Sequence, residues 1–289
     1  MNQMRNKILI LGSSSWLGSA LLNRLNTSKE DYQLITTVYK NKIELDVDIE
    51  IVDAQELKDY QIALETFKPN VIVNFLRGEN EKGYDIHRSI IDYCTKEKSH
   101  YVYASSVLAL DAYDNIDLTE DLLAKSLSEY GIFKGNCEEM LYDSKIDWTV
   151  LRFSSLQGYC AHKHTRNEVF LSKLFNGKKI YVDLGVVQNR MFVNDMILIV
   201  EKIIERTIKG IIHIGTTDSS DEINFLRKQA NLFGYSSDRI QESGNQRNVN
   251  LNCIPSKIHE LFGDDFILDE KITLEKINRI KEFDKYRKI

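Results

Sequence analysis

The sequence is poor in several features that mark specialised classes of protein. It has four cysteines in 289 residues, with neither the density nor the spacing of a disulfide framework or a zinc site. Its 38 lysine and arginine residues are set against 43 aspartate and glutamate residues, so no broad positive field attracts nucleic acid or anionic lipid. No apolar run approaches the roughly 18 residues of a membrane span. These absences favour a cytoplasmic protein with reduced thiols and with no nucleic-acid or membrane partner.

A bound metal is not predicted either. His162 and His164 lie in one polar loop, but no third ligand follows at a useful spacing. What the chain does contain is ordinary for a globular protein, with 43% hydrophobic and 28% charged residues and no low-complexity segment. Its length suffices for one large or two smaller domains with a proper core.

Short apolar runs alternate with segments of helical periodicity along the first half of the chain. Such alternation predicts right-handed crossovers and a doubly wound parallel α/β sheet of the Rossmann type. The predicted strands are residues 8–11, 34–39, 49–52, 71–76, 101–104 and 148–153. We expect residues 1–155, completed by about 190–215, to form a dinucleotide-binding domain. Residues 156–189 and 216–289 would form a smaller substrate-binding lobe, mostly helical after a last strand at 210–215.

The first strand leads into a turn of small residues. Ile8–Leu11 ends at Gly12, Gly18 follows six residues later, and leucines at helical spacing come next. A strand that enters a helix through such a turn directs backbone N–H groups at an anion, typically a dinucleotide pyrophosphate. An ordinary connecting turn is an equally good interpretation of two glycines alone.

The end of the second predicted strand bears on the choice of cofactor. In dinucleotide-binding folds an acidic residue there takes the ribose hydroxyls, whereas a basic residue accommodates a 2′-phosphate. Tyr39, Lys40 and Lys42 stand at this point without a carboxylate. This favours NADP(H) and leaves NAD(H) open.

Tyr130 and Lys134 are spaced by one helical turn, within a segment of helical periodicity from about 119 to 143. A cation so close would favour the phenolate and lower the pKa of the tyrosine, making it a proton donor or acceptor near neutral pH. Chance alone predicts about one such pair in this composition, and the chain has a second at Tyr159 and Lys163. The second pair lies in an irregular polar run, so we set it aside.

Taken together, these features resemble the extended short-chain dehydrogenase/reductase family of nucleotide-sugar epimerases, dehydratases and reductases. Asp53, standing fifteen residues before the segment Lys68–Asn74, and the segment Asn250–Lys257 are most similar to sugar-nucleotide reductases of the dTDP-4-dehydrorhamnose reductase type. The resemblance implies a cofactor-binding set and a catalytic Ser106, Tyr130 and Lys134. Its cofactor-binding residues would be Gly12, Ser15, Trp16, Leu17, Gly18, Tyr39, Lys40, Asp53, Ala54, Asn74, Phe75, Leu76 and Phe153. Arg190 and Asn194 would contact the substrate.

The chemistry that the resemblance implies is a hydride transfer. Ser106 would hydrogen-bond a substrate carbonyl, Tyr130 would protonate the forming alkoxide, and Lys134 would hold the nicotinamide ribose. Dehydratases of the family usually carry an Asp-Glu pair after the catalytic Ser or Thr, where this chain has Val107 and Leu108. A reductase of a nucleotide-activated 4-keto sugar is therefore the first hypothesis. An epimerase and a non-catalytic cofactor-binding sensor or scaffold remain alternatives, and a homodimer is left open.

Overall fold

The structure is a computed structural model that describes residues 6–27, 32–38, 50–54, 56–114 and 116–288, with residues 50–53 described by their backbone alone. Three predicted cofactor contacts are affected by these limits. Tyr39 and Lys40 lie outside the described residues, and so does the side chain of Asp53.

The described residues form strands and helices that alternate through most of the chain. The strands are β1 (Asn6–Leu11), β2 (Tyr32–Val38), β3 (Glu50–Asp53), β4 (Val71–Asn74), β5 (His100–Ser106), β6 (Trp148–Phe153), β7 (Ser155–Gln157), β8 (Ile180–Gln188), β9 (Arg190–Phe192), β10 (Gly210–Ile214), β11 (Ser220–Asp221) and β12 (Ile240–Leu251). The α-helices are α1 (Trp16–Asn26), α2 (Leu57–Phe67), α3 (Glu81–Glu97), α4 (Glu129–Tyr142), α5 (Arg166–Phe175), α6 (Val193–Glu205), α7 (Glu222–Leu232), α8 (Ser256–Phe262) and α9 (Glu270–Asn278). Short 3-10 helices cover Val107–Leu110, Ser237–Arg239, Asp264–Phe266 and Lys281–Tyr286.

The chain divides into two compact units, each made of three separate stretches of sequence. Unit 1 comprises Met1–Ala109, Ala124–Arg152 and Ile197–Ile212. Unit 2 comprises Leu110–Leu123, Phe153–Met196 and His213–Ile289. The divisions at 152 and 212 lie within a few residues of the predicted domain limits. The early segment of unit 2 was not expected.

The main sheet has seven strands in the order β10-β6-β5-β4-β1-β2-β3. β1 pairs in parallel with β2 and β4, as do β2 with β3 and β4 with β5. The predicted doubly wound parallel sheet is confirmed. Ile8, Leu9, Ile10 and Leu11 have no exposed surface, as expected for a strand covered on both faces. Strand order reverses beside β1, and ligands of such sheets lie at that switch point.

Unit 2 differs from the sequence prediction. Residues beyond 215 contain the expected helices, but they also contain β12, which runs for 12 residues and pairs in parallel with β8. β8 spans 9 residues, and β11 pairs with it antiparallel. The central part of β12 is exposed and polar, and its register shifts twice. The alternation or run of apolar residues that reveals a strand in a sequence is therefore missing from β12.

The segment before α4 also differs from the prediction. The helical spacing from about 119 to 143 suggested one helix, but α4 begins only at Glu129, with Ser128 as the N-cap that accepts from the Gly131 N–H at 3.2 Å. Tyr130 and Lys134 are nevertheless both helical. Within the described ranges, no helix is long and apolar enough to cross a membrane.

Candidate active site

The turn between β1 and α1 needs glycine at two positions. Gly12 has a φ of +80°, and a Cβ there would lie 3.2 Å from the Leu76 nitrogen. A Cβ on Gly18 would lie 2.3 Å from the Gly12 carbonyl oxygen, closer than real contacts allow. The two glycines thus let the turn pass tightly against the helix, which is the arrangement of a dinucleotide-binding turn.

Ser15 stands where the related motif has its middle glycine, and it is the N-cap of α1. Its hydroxyl accepts a hydrogen bond from the Gly18 N–H at 3.1 Å. Trp16 and Leu17 follow in the first turn, which carries no acidic side chain. The positive end of the helix dipole therefore stays available to an anion. These features fit a pyrophosphate, although the Ser15 hydroxyl occupies one of the N–H donors.

Two further predicted cofactor positions lie after β3. Asp53 is the last residue of that strand and pairs in register with Val38. Ala54 is fully buried, and its N–H donates to the Val38 carbonyl at 3.0 Å. Ala54 thus joins the ends of β2 and β3, the region where the adenosine ribose lies in related folds.

A buried chain of hydrogen bonds begins at Asn74, the last residue of β4. Its Nδ2 donates to the Tyr101 hydroxyl at 2.8 Å, and that hydroxyl lies 2.8 Å from His87 Nδ1. His87 Nε2 lies 2.9 Å from the Cys137 carbonyl. A carbonyl only accepts, so Nε2 carries the proton and Tyr101 donates to Nδ1. Burial lowers the pKa of His87 to about 4, which keeps this direction fixed at neutral pH.

This chain also fixes the loop after β4. Asn74 Oδ1 accepts the Leu76 N–H at 2.9 Å, and the Phe75 N–H donates to the Leu11 carbonyl at 3.0 Å. Phe75 is buried and Leu76 is half-buried. The Asn74–Leu76 segment, predicted to contact the cofactor, therefore lies directly against the Gly12 turn.

The three predicted catalytic residues come together in unit 1. Ser106 ends β5 and is buried, and its hydroxyl accepts the Leu108 N–H at 3.2 Å. Tyr130 lies in the first turn of α4, half-buried, and the Ser106 side chain lies close enough to favour its phenolate. Lys134 is buried one turn further on, with its Nζ 5.7 Å from the centre of the Tyr130 ring.

The electrostatics of this set differ from the expectation. Burial raises the pKa of Tyr130, while the nearby Arg77 cation and the Ser106 side chain act in the opposite direction. Lys134 is not the dominant cation here. Its Nζ donates to the Ala104 carbonyl at 2.7 Å and lies 4.7 Å from the Tyr103 ring centre. Burial lowers the pKa of Lys134 to about 8, so this ammonium is itself close to losing its proton.

The sequence reasoning missed a buried ion pair that anchors α4. Arg152 on β6 and Glu138 on α4 are both fully buried, and Arg152 Nη2 lies 2.7 Å from Glu138 Oε2. Arg152 Nε donates to the same carboxylate at 3.1 Å, and the Ser105 hydroxyl donates to its other oxygen. The pair therefore joins α4 to the two strands beside it. The sequence signal for this pair was Glu138 itself, a carboxylate one helical turn after Lys134 on the same face of α4.

Three other predicted residues fall in unit 2. Phe153 ends β6 and is buried, and Asn194 is exposed. Asn194 is the second residue of α6, which begins at Val193.

Arg190 is 1% exposed, and its guanidinium is occupied by the protein itself. It donates to Glu222 at 2.7 Å, to Glu270 at 3.3 Å and to the Ser220 carbonyl at 3.0 Å. The group also stacks on Phe225 at 4.6 Å. Arg190 thus ties β9 to β11, α7 and α9, and the geometry does not support its predicted contact with substrate.

Unit 2 also contains a cavity of about 410 Å³ between α5 and α7. Arg166, Lys173 and His164 lie along it with the apolar Phe170 and Leu226. Gln229 lines it as well, is fully buried, and has no hydrogen-bond partner for either side-chain atom among the described residues. The cavity offers basic groups and apolar walls to one ligand.

The family model of the NAD dependent epimerase/dehydratase family matches residues 8–215. The chain belongs to this family of enzymes, as its Gly12 turn and its Ser106, Tyr130 and Lys134 cluster indicate. No curated protein matches the chain in sequence.

Solved structures match the chain over nearly its full length. WbmG of Bordetella bronchiseptica, in complex with NAD and UDP, has a TM-score of 0.81 at 16% identity, covering 98% of this chain and 96% of that one. The dTDP-glucose 4,6-dehydratase of Bacillus anthracis, in complex with NAD, has a TM-score of 0.77 at 15% identity, covering 97% and 99%. The UDP-N-acetylglucosamine 4-epimerase of Bacillus cereus has a TM-score of 0.74 at 19% identity, covering 94% and 98%. At these identities the likeness establishes the shared fold.

Proposed function

We propose that this protein is an NAD(P)H-dependent reductase of a nucleotide-activated 4-keto sugar. The observation that carries the proposal is the meeting of Ser106, Tyr130 and Lys134 at the carboxyl end of β5, with Lys134 Nζ 5.7 Å from the centre of the Tyr130 ring. A hydroxyl donor and a proton donor at one point are what reduction of a carbonyl needs.

The residues of the β1–α1 turn fit a dinucleotide. The close approach of Gly12 and Gly18 suits a pyrophosphate, and so does the first turn of α1, which carries no acidic side chain. The absence of a carboxylate near Tyr39 and Lys40 favours NADP(H), whereas the similar WbmG structure is a complex with NAD. Either cofactor supplies a hydride to the carbonyl carbon when bound.

The protein's own residues would carry the proton. As the carbon–oxygen π bond breaks, Ser106 donates a hydrogen bond to the oxygen and the Tyr130 O–H bond breaks in favour of the new alcohol. The Tyr130 phenolate then takes a proton from solvent. Burial, which raises the pKa of Tyr130, keeps the phenol protonated before each turnover and so suits the acid role over the base role.

Elimination of water is disfavoured by the residues after Ser106. Val107 and Leu108 begin a short 3-10 helix, and Val107 is buried. Neither side chain can exchange a proton. This argues against a dehydratase, although a dehydratase is among the similar structures.

The cavity of unit 2 supports a nucleotide-linked substrate. Arg166 and Lys173 suit phosphate, and Phe170 and Leu226 suit a planar ring. UDP in the similar WbmG structure is consistent with this assignment.

The decisive test is oxidation of NADPH or NADH in the presence of dTDP- and UDP-linked 4-keto-6-deoxy sugars. Net oxidation is expected, and Tyr130→Phe should lower turnover by orders of magnitude while the cofactor still binds. Tyr159→Phe, at the second Tyr-x-x-x-Lys pair, is the matched control and should leave turnover unchanged.

The alternatives give different results in the same assay. Interconversion of sugars without net cofactor oxidation would identify an epimerase, which shares the same three residues. Binding without turnover of any sugar would favour a sensor or scaffold. A bound cofactor at 100 times its Kd should stabilise the fold by about 2.7 kcal/mol, so absence of a thermal shift with both cofactors would contradict the whole proposal.

A further inference from the structure

The loop after β4 places a second cation beside the Tyr130 phenol. Arg77 Cζ lies 5.1 Å from the centre of the Tyr130 ring, closer than Lys134 Nζ at 5.7 Å. Lys134 is held against the Ala104 carbonyl and the Tyr103 ring. Arg77 makes only a 3.3 Å contact with Glu79 among the hydrogen bonds and ion pairs described for it.

The position of Arg77 is fixed from both sides. On one side, Asn74 Oδ1 holds the Leu76 N–H. On the other side, Gly78 packs so closely on Gly83 that a Cβ at Gly83 would lie 2.1 Å from the Gly78 carbonyl oxygen. Asn80 then caps α3 by accepting the Gly83 N–H at 3.0 Å. The loop thus holds the Arg77 backbone where its side chain reaches Tyr130.

We propose that Arg77 is a positioning residue that stabilises the phenolate of Tyr130. The inference rests on the proposed function of Tyr130. It extends that function by assigning to Arg77 the stabilisation of the phenolate that the sequence led us to expect from Lys134. A guanidinium stays charged at every pH at which the protein is folded. Arg77 therefore supports the phenolate even where Lys134 has lost its proton.

The groups that face Tyr130 come from three elements. Arg77 and Glu79 lie on the loop after β4, Lys134 lies on α4, and Tyr103 and Ser106 lie on β5. Arg77 lowers the pKa of Tyr130 and Glu79 raises it. Because Arg77 is exposed, solvent and salt screen its effect on the pKa of Tyr130, so we expect that effect to be modest and largest at low salt.

The test measures the phenolate directly and does not depend on turnover. Tetranitromethane nitrates phenolate, so the rate of nitration at Tyr130, followed by peptide mass spectrometry at one pH below its pKa, reports the phenolate fraction. Arg77→Met should slow this nitration about 3- to 10-fold, and Arg77→Lys should slow it less. Glu79→Gln should speed it. The effect of Arg77→Met should shrink at about 1 M salt, where the Debye length falls to roughly 3 Å.

Arg88 provides the matched control. It lies on α3, stacks over the Tyr84 ring at 5.8 Å, and is also partly exposed. Arg88→Met should leave the nitration of Tyr130 unchanged. Circular dichroism checks that each variant is folded.

Equal nitration rates in Arg77→Met and Arg88→Met would overturn the inference, and so would changes of the same sign in Arg77→Met and Glu79→Gln. If the opposite shifts occur but no keto sugar is reduced, the proposed function fails while the role of Arg77 stands. If Tyr130 is essential for reduction but its nitration rate is the same in Arg77→Met as in the wild type, the proposed function stands and this inference fails.

Discussion

The buried pair of Arg152 and Glu138 gives a prediction whose size follows from the structure. Neither side chain has exposed surface, and the pair is doubly hydrogen-bonded. Glu138→Gln keeps the shape but leaves the guanidinium charge uncompensated in the interior. Breaking one partner of such a pair typically costs about 3–5 kcal/mol, a large part of the roughly 5–15 kcal/mol that stabilises a domain.

Urea denaturation of the two single variants and the double variant measures this coupling. Glu138→Gln and Arg152→Met should each lose about 3–5 kcal/mol of unfolding free energy. The double variant should lose clearly less than the sum, because removing the cation removes the uncompensated charge. Asp85→Asn, which breaks the exposed Arg88–Asp85 pair at 2.8 Å, is the control and should cost less than about 0.5 kcal/mol.

Two results would refute this reasoning. One is a loss below about 1 kcal/mol in both single variants, which would mean that water reaches the pair. The other is additivity in the double variant, which would mean that the two charges do not depend on each other. The hydrogen bond from Ser105 to Glu138 links the outcome to the site, so we also expect lower turnover in Glu138→Gln under conditions where it is folded.

Three further predictions concern stability. Lys134→Met should raise the unfolding free energy at pH 7 by about 1–2 kcal/mol, because burial holds the pKa of Lys134 at about 8 and the charged form costs stability below that value. The wild-type unfolding free energy should rise between pH 8 and about 10, and this rise should be absent in Lys134→Met. Burial lowers the pKa of both His87 and His100 to about 4, so urea denaturation at pH 7 and pH 5 should show a loss of about 2 kcal/mol per histidine as the pH falls. If His87→Phe loses as much unfolding free energy between pH 7 and pH 5 as the wild type, His87 does not contribute to the pH dependence. Gly12→Ala should cost more than Gly177→Ala in thermal unfolding, since both have φ above +70° but only Gly12 has atoms within 4 Å of the added Cβ; equal costs would contradict this.

Much of unit 1 could be predicted from sequence because its signals are local. A strand covered on both faces must be apolar, so Ile8–Leu11 is readable as a strand. Strand β6 was predicted with its observed bounds, Trp148–Phe153. Once the strands are parallel and in the right order, the residues that follow them meet at one edge. The convergence of Gly12, Asn74 and Ser106 therefore follows from topology.

The rest depended on contacts between distant parts of the chain. β12 is held by pairing with β8, about 60 residues away, while its own side chains are polar and exposed. Leu122 and Leu123 have helical spacing but lie before the start of α4, whose N-cap is Ser128. Spacing alone does not distinguish these cases.

The charged residues of the sites were the least predictable. Arg190 matched a substrate-binding pattern, yet its partner Glu270 lies 80 residues away and turns it into an internal link. Arg77 belongs to no pattern, and only the fold brings it to Tyr130. A side chain's charge is visible in sequence, but whether that charge is already paired is a property of the fold.

The discontinuous units have a consequence for synthesis of the chain. Unit 1 requires residues up to Ile212, and β10 is the strand that covers the edge of β6. At about 5–20 residues per second, roughly 3 to 12 s separate the emergence of β6 from that of β10. During this interval the nascent sheet exposes an unpaired apolar edge, the kind of surface that recruits other chains. The growing protein is thus most vulnerable to aggregation between the points at which about half and about three quarters of the chain have emerged.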